Sequence, residues 1–319
     1  MRFPLIAICL LCSTPVLAQE RADSWQTTTA SVHATAAGIA VPQQAGALAL
    51  AKTGEVAGQG DGTDIYAQYV SADNVVQATI FVYRPGFADT AVAALATERT
   101  LIERFGPATQ RDTQRIMSAG GRDGVAIRTL YSGAADGELA LAAAFVRSGD
   151  WIVKLRVTAP TERKAEVEAG IDALLAGLSF DDPAALQRAS LTSLKDCASK
   201  APVASTPASA SFPSNGADAL CRVGVVKVAD ATFDMIQPAG ANPGGSVLVP
   251  TDDAGGLLRF DRIATGGYSM TRFGSGTAKT TTRFDALPDA DAIASIISGG
   301  DQAALARGAD KTRGTTALR

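Results

Sequence analysis

The side chains able to do chemistry in this 319-residue sequence are few and widely spaced. Its single histidine is His33, in a segment without an evident structural pattern. One imidazole, with no Cys, His and Asp grouped at ligand spacing, argues against a zinc or transition-metal site. A Ser-His-Asp triad would have to recruit His33, and no G-x-S-x-G turn presents a serine. GSGTAKT (274–280) has the outline of a phosphate loop, yet Ala278 replaces the glycine required before Lys279. The TTTRF that follows is β-branched where a helix should begin, so a glycine turn between strands is expected. GQGDGTD (58–64) offers two acidic residues among glycines. Calcium wants six to eight oxygens, and the EF-hand spacing with its terminal Glu is missing; the segment reads as a turn before a strand at Ile65. Carboxylate pairs for glycoside chemistry can be distant in sequence, and nothing singles one out. No catalytic residue, metal ligand or cofactor is assigned.

Cysteine is more informative. The chain opens MRFPLIAICLLCSTPVLAQE: one positive charge at Arg2, an apolar run Phe3 to Leu11, then small residues ending at Ala18. This is the layout of a secretory signal peptide over 1–18, with cleavage expected after Ala18 and a periplasmic or secreted destination. The run is too short for a membrane span, which takes about 20 residues. Cys9 follows Ile8 and Cys12 follows Leu11, so neither has the small neighbour a lipoprotein needs. Cleavage would remove Arg2, Cys9 and Cys12, taking the formal charge from −3 to −4 and leaving Cys197 and Cys221. Two cysteines in an exported protein favour one structural disulfide. A flexible linker of that length spans about 27 Å r.m.s., whereas bridged Cα atoms lie within about 7 Å. A Cys197–Cys221 bridge is therefore expected to hold the Ala/Ser/Pro-rich stretch as a loop and to fasten the second domain beside the first.

Five cations fall on or beside the central strands: Arg84, Arg128, Arg147, Lys154 and Arg156. If the strands align, several could meet on the wetter sheet face and bind a carboxylate or phosphate bidentately, making an anionic-ligand or partner face. The competing expectation is a solvated face whose cations pair with neighbouring Asp and Glu. Phe81, Tyr83, Tyr131 and Trp151 are expected to pack in the core or across strands.

The elements that must position these residues can be read from periodicity. DIYAQYV (64–70) and VVQATIFVYR (75–84), joined by the turn-rich SADN, predict an antiparallel pair. In the second, Val76, Ala78, Ile80 and Val82 share one face and Gln77, Thr79, Phe81 and Tyr83 the other. A helix is predicted over 88–106, capped by Asp89, ended by Gly106-Pro107, with a stripe of Leu95, Ile102 and Phe105. GVAIRTLYS (124–132) is a further strand, and ELALAAAFVR (138–147) with WIVKLRV (151–157) forms a hairpin through Ser148-Gly149-Asp150. In its second arm Trp151, Val153, Leu155 and Val157 face a core, while Lys154 and Arg156 share a partly wet face with Ile152. Val167, Ile171, Leu174, Leu175 and Leu178 mark a second amphipathic helix. Strands, helix, strands, helix is the order of an α+β domain with an antiparallel sheet and two main helices, over 30–182. The YRPG-helix-hairpin-helix arrangement resembles the small exported domains of the PsbP, Mog1 and DcrB-like group. That resemblance implies an accessory or binding role and carries over no functional residue.

A short helix opening at Asp182-Pro183 and an Ala/Ser/Pro-rich linker are expected over 183–215. Strand candidates at 222–229, 245–250, 256–263, 268–274 and 278–287, with a short helix at 289–298, predict a small β-rich domain over 216–300. A flexible tail, 301–319, closes the chain. Mild acidity without a basic cluster argues against nucleic acid, and no later stretch is long enough to span a membrane. The expected role is a periplasmic, non-catalytic protein that binds another envelope protein or a small envelope ligand. The alternatives are an envelope carbohydrate or peptide hydrolase with a dispersed carboxylate or Ser/Lys site, and a structural subunit of an envelope assembly.

Overall fold

The computed structural model describes residues 24–56, 62–191, 194–197, 220–238, 245–274 and 277–299. The expected signal peptide, most of the Ala/Ser/Pro linker and the tail lie outside them. The first strands are β1 (Trp25–Thr27), β2 (Ser31–Ala34), β3 (Ile39–Pro42), β4 (Gln44–Ala45), β5 (Leu48–Glu55), β6 (Asp64–Ser71) and β7 (Gln77–Tyr83). Helix α1 (Thr90–Phe105) leads to β8 (Gln110–Ala119), β9 (Arg122–Ala134), β10 (Leu139–Ser148) and β11 (Trp151–Pro160). Helix α2 (Lys164–Gly177), β12 (Ser179–Phe180) and β13 (Lys195–Asp196) come next. The C-terminal part holds β14 (Leu220–Val228), β15 (Ala231–Pro238), β16 (Ser246–Pro250), β17 (Leu257–Arg262), β18 (Tyr268–Gly274), β19 (Thr277–Phe284) and α3 (Ala290–Ile297). The class is α+β.

These strands make three sheets, ordered β1-β2-β3-β12, β4-β5-β6-β7-β11-β10-β9-β8 and β13-β14-β15-β16-β17-β18-β19. The eight-stranded sheet is antiparallel throughout and is the scaffold. Its alternation sorts side chains into two cores. Ala67, Ile80, Leu155 and Ala144 lie in register on one face. There they are buried with Val167, Ile171, Leu174 and Leu175 of α2 and with Val32, Ile39 and Val41 of the four-stranded sheet. Tyr83, Ile152, Phe145 and Ile127 face the other way and pack with Ala93, Ala94 and Leu101 of α1. The α2 stripe is the one its spacing predicts. That of α1 is shifted: Ala91, Val92, Ala94 and Leu101 are buried, Leu95 is half-buried and Ile102 is exposed. The expected helix after Asp182 is a single 3-10 turn, Pro183–Ala185, with the Asp182 carboxylate accepting from the Ala184 amide.

The seven-stranded sheet also has two covered faces. Val226, Val247, Val249, Leu258, Phe260 and Met270 pack against Ile293 and Ile296 of α3. Leu220, Ile236, Leu248 and Leu257 pack against Ala91 and Val92 of α1. So α1 is wedged between two sheets. Gly86 permits the close approach: a Cβ there would lie 2.0 Å from the Phe273 ring. Cys197 and Cys221 are bonded, with Cα atoms 4.9 Å apart, where β13 runs parallel to β14.

Candidate functional site

The five cations, several of which could have met on one wet face, are divided by the fold. Arg128 points to the α2 face, where its Nε lies 2.8 Å from Asp172 Oδ1 and its Nη2 3.4 Å from Glu168 Oε2. Arg84 sits at the end of β7 and pairs with Asp150 in the β10–β11 turn at 3.1 Å, both exposed. Arg147, Lys154 and Arg156 do share the α1 face, because Arg147 pairs in register with Ile152, and Lys154 and Arg156 come after it at a period of two. That face is not simply wet. Arg147 Nε donates to Gly149 O at 2.9 Å, and burial lowers its pKa against the opposing pull of Asp89. Lys154 is only 4% exposed.

What seals Lys154 is the β16–β17 loop of the C-terminal sheet. Asp252 shapes that loop by accepting from the Ala254 and Gly256 amides at 2.9 and 2.7 Å. Asp253 then receives Lys154 Nζ on both its carboxylate (2.8 Å) and its carbonyl (2.7 Å). The ammonium lies 4.7 Å from the Phe81 centroid and 5.8 Å from that of Tyr83, within cation–π range. Burial lowers the Lys154 pKa and the Asp253 charge opposes this. Beside it, Arg99 of α1 donates to Pro250 O at 2.6 Å and stacks 4.3 Å over Phe233. The two sheets are thus joined by buried apolar contact and two cations, while the disulfide ties the end of β13 to β14 within the seven-stranded sheet.

A small pocket lies at this junction, lined by Tyr83, Phe87, Asp89, Ile152, Asp253 and Leu257 among others. The space open to the centre of a water-sized sphere is ≈ 20 Å³, room for about one or two waters. Burial raises the pKa of Asp89, but its Oδ1 accepts from the Ala91 and Val92 amides at 2.8 and 2.9 Å as the expected N-cap. Burial also drives the Tyr83 hydroxyl well above its ordinary pKa. His33 is in β2 rather than in unstructured chain, 3.0 Å from Asp181. Among the described residues no three His, Cys, Asp or Glu are grouped to hold a metal. Lys279 of the phosphate-loop-like stretch lies in a strand, β19.

Beyond the reach of α1 the same sheet face continues over β11, β7, β6 and β5. One register row reads Arg156, Thr79, Gln68, Lys52. The next contains Lys154, Phe81 and Tyr66. Lys52 lies 6.0 Å over Tyr66, and the Arg156 guanidinium 5.9 Å from Phe81. Lys52 and Gln77 are exposed, and Gln68, Thr79, Phe81 and Arg156 are half-buried. Arg156 has no ion pair among the described residues; burial lowers its pKa, and the positive charge of Arg104 on α1 lowers it further. Tyr83 and Tyr131 are buried and Trp151 packs on the α2-side core, as expected, while Phe81 is half in the core and half under cations. Sequence reasoning missed Asp253, Arg99, Lys52 and Arg104, since each acts across a sheet or a loop. The signal for Lys52 and Gln68 was their place on the polar face of adjoining strands.

No family model matches the sequence, and no curated protein does. The solution structure of cyanobacterial PsbP (CyanoP) from Synechocystis sp. PCC 6803 is similar over 50% of this chain and 94% of that chain, with 12% identity and a TM-score of 0.36. This is a weak likeness of fold over half the chain, and no functional argument rests on it.

Proposed function

We propose that the chain is an exported, non-catalytic binding protein with two domains, 30–182 and 216–300, and that it takes another envelope component on the uncovered β5–β6–β7–β11 face. The observation that carries this reading is the contrast along that face. Where the C-terminal loop reaches, Lys154 is matched by Asp253 and buried. Past it, cations, an amide, a hydroxyl and two aromatic rings stand in register without a covering element among the described residues. A polar and aromatic surface of this kind suits recognition of a partially charged partner.

A hydrolase would need an ionisable group open to substrate. Asp89 has the raised pKa such a role favours, but both its amide contacts belong to the start of α1. A structural subunit would offer a free strand edge. β8 is the long edge of the eight-stranded sheet, and it carries Arg111, Asp112 and Arg115 together with two register shifts. Charges and bulges of that sort guard an edge against pairing.

The test is site-specific photo-crosslinking in an exporting bacterial host, with the reactive group at Gln77 on the open face or at Glu162 beside α2. Adducts from Gln77 and none from Glu162 support the reading. Adducts from neither position, or turnover of an envelope substrate that D89N abolishes, would overturn it. Intact mass of the exported chain, expected to begin at Gln19, checks the compartment.

A further inference from the structure

Among the described residues three aspartates cap helical turns with their side chains. Asp182 and Asp289 each accept one amide, from Ala184 and Ala292, and both residues are exposed. Their second oxygens are left to water, which is all that capping requires. Asp89 differs. Its Oδ1 takes the Ala91 and Val92 amides, but the residue is only 6% exposed and its Oδ2 meets no donor among the described residues. Arg147, the cation whose charge reaches Asp89, gives its Nε to the Gly149 carbonyl and makes no ion pair with it. A buried carboxylate oxygen without a partner costs stability, and a fold that keeps one needs another reason for it.

Asp89 lines the pocket at the junction of the two sheets. That lining runs from buried Asp89, Val92 and Ile152 to half-buried Phe87 and exposed Asp252, so the pocket opens beside the β16–β17 loop. Of the three carboxylates on its wall, Asp253 alone has a cation at ion-pair distance among the described residues, Lys154. The pocket therefore carries surplus negative charge around a space of about one or two waters. Such a space suits a compact cation that donates hydrogen bonds, and a primary ammonium offers three N–H donors on a head of that size.

We propose that the junction pocket binds the primary ammonium group of an aliphatic amine, with Asp89 Oδ2 as the acceptor at its floor. This site is separate from the open sheet face and goes beyond the binding role assigned there. The same head group is carried by a small free amine and by a lysine side chain of a partner protein.

The experiment is an amide-resolved NMR titration of the full mature chain with ethylammonium chloride, with N-acetyl-lysine amide and, at matched ionic strength, with tetramethylammonium chloride. The expected result is a saturable shift of the Ala91 and Val92 amide signals with ethylammonium. Tetramethylammonium, wider and without an N–H, should not produce it, and Ala292, the amide on the exposed Asp289 cap, should not move. D89N keeps a capping side chain, since Asn caps as well as Asp. It should bind ethylammonium at least about tenfold more weakly, as loss of a charged acceptor implies. Should D89N not fold, the wild-type comparison of Ala91 and Val92 with Ala292 decides. A shift with N-acetyl-lysine amide assigns the pocket to a lysine side chain, and a shift with ethylammonium alone to a small free amine. No shift at Ala91 and Val92, an equal one with tetramethylammonium or at Ala292, or unchanged affinity in D89N would overturn the proposal and leave Asp89 as a helix cap alone. Crosslinking from Gln77 tests the open face independently of each of these outcomes.

Discussion

Arg128 and Arg156 occupy one sheet, within a residue of the same register level, since Leu155 pairs with Ala144 and Ala144 with Arg128. They point to opposite faces and have opposite fates. On the α2 face a helix lies over the strand and delivers two carboxylates. On the α1 face no carboxylate among the described residues pairs with Arg156, and the positive charge of Arg104 lowers its pKa further. A strand cation is thus structural when its covering element supplies an acid, and is available for a ligand when it does not.

The largest effect is expected at Lys154, where the acid comes from the second sheet. Asp253→Ala would strand a buried ammonium and is expected to cost about 3–5 kcal/mol in urea unfolding, whereas K154M combined with D253A should restore most of it. A double variant as unstable as the single one would mean that the pair does not join the sheets. Next comes the covalent tie. C197S/C221S is expected to lose about 2–4 kcal/mol, with α1 becoming more open to hydrogen exchange on the side facing Leu248 and Leu257. Gly86→Ala pushes a methyl into the Phe273 ring, and overpacking of this kind costs about 1–3 kcal/mol. A Tm equal to wild type would show that the strand-to-helix connection does not press on β18.

A smaller effect concerns pH. Asp73 accepts from Ser71 and Arg163, which hold its pKa at about 2 against an ordinary 3.8. A carboxyl lowered on folding contributes stability above its unfolded pKa and loses that contribution as pH falls through the folded value. D73N should therefore lower the urea midpoint at neutral pH and flatten its fall between pH 4 and pH 2, converging on the wild type at the acid end. An acid limb identical to wild type would contradict the assignment.

Much of the scaffold was legible because its strands obey a strict period. Val76, Ala78, Ile80 and Val82 against Thr79, Phe81 and Tyr83 gave two true faces, and Val153 to Val157 gave the same two. The edge strand β8, QRDTQRIMSA, was not legible, since most of its side chains are exposed and it shows no alternation to read. β1 to β4 were hidden by shortness, and β15 by the Asp and Gln in ATFDMIQP. Within the site, the separation of Lys154 from Arg156 by function could not be read locally. Both belong to one polar face of β11, and it is a loop about a hundred residues later, Asp252 to Gly256, that buries one and stops before the other.

The decisive measurement is the Tm of R128Q beside that of R156Q, taken without added anion. Opposite signs are expected: a fall of about 2–4 °C for R128Q, which leaves Asp172 and Glu168 without their cation, and a rise for R156Q. A fall for both variants would contradict the division of the two faces, making Arg156 one more structural cation.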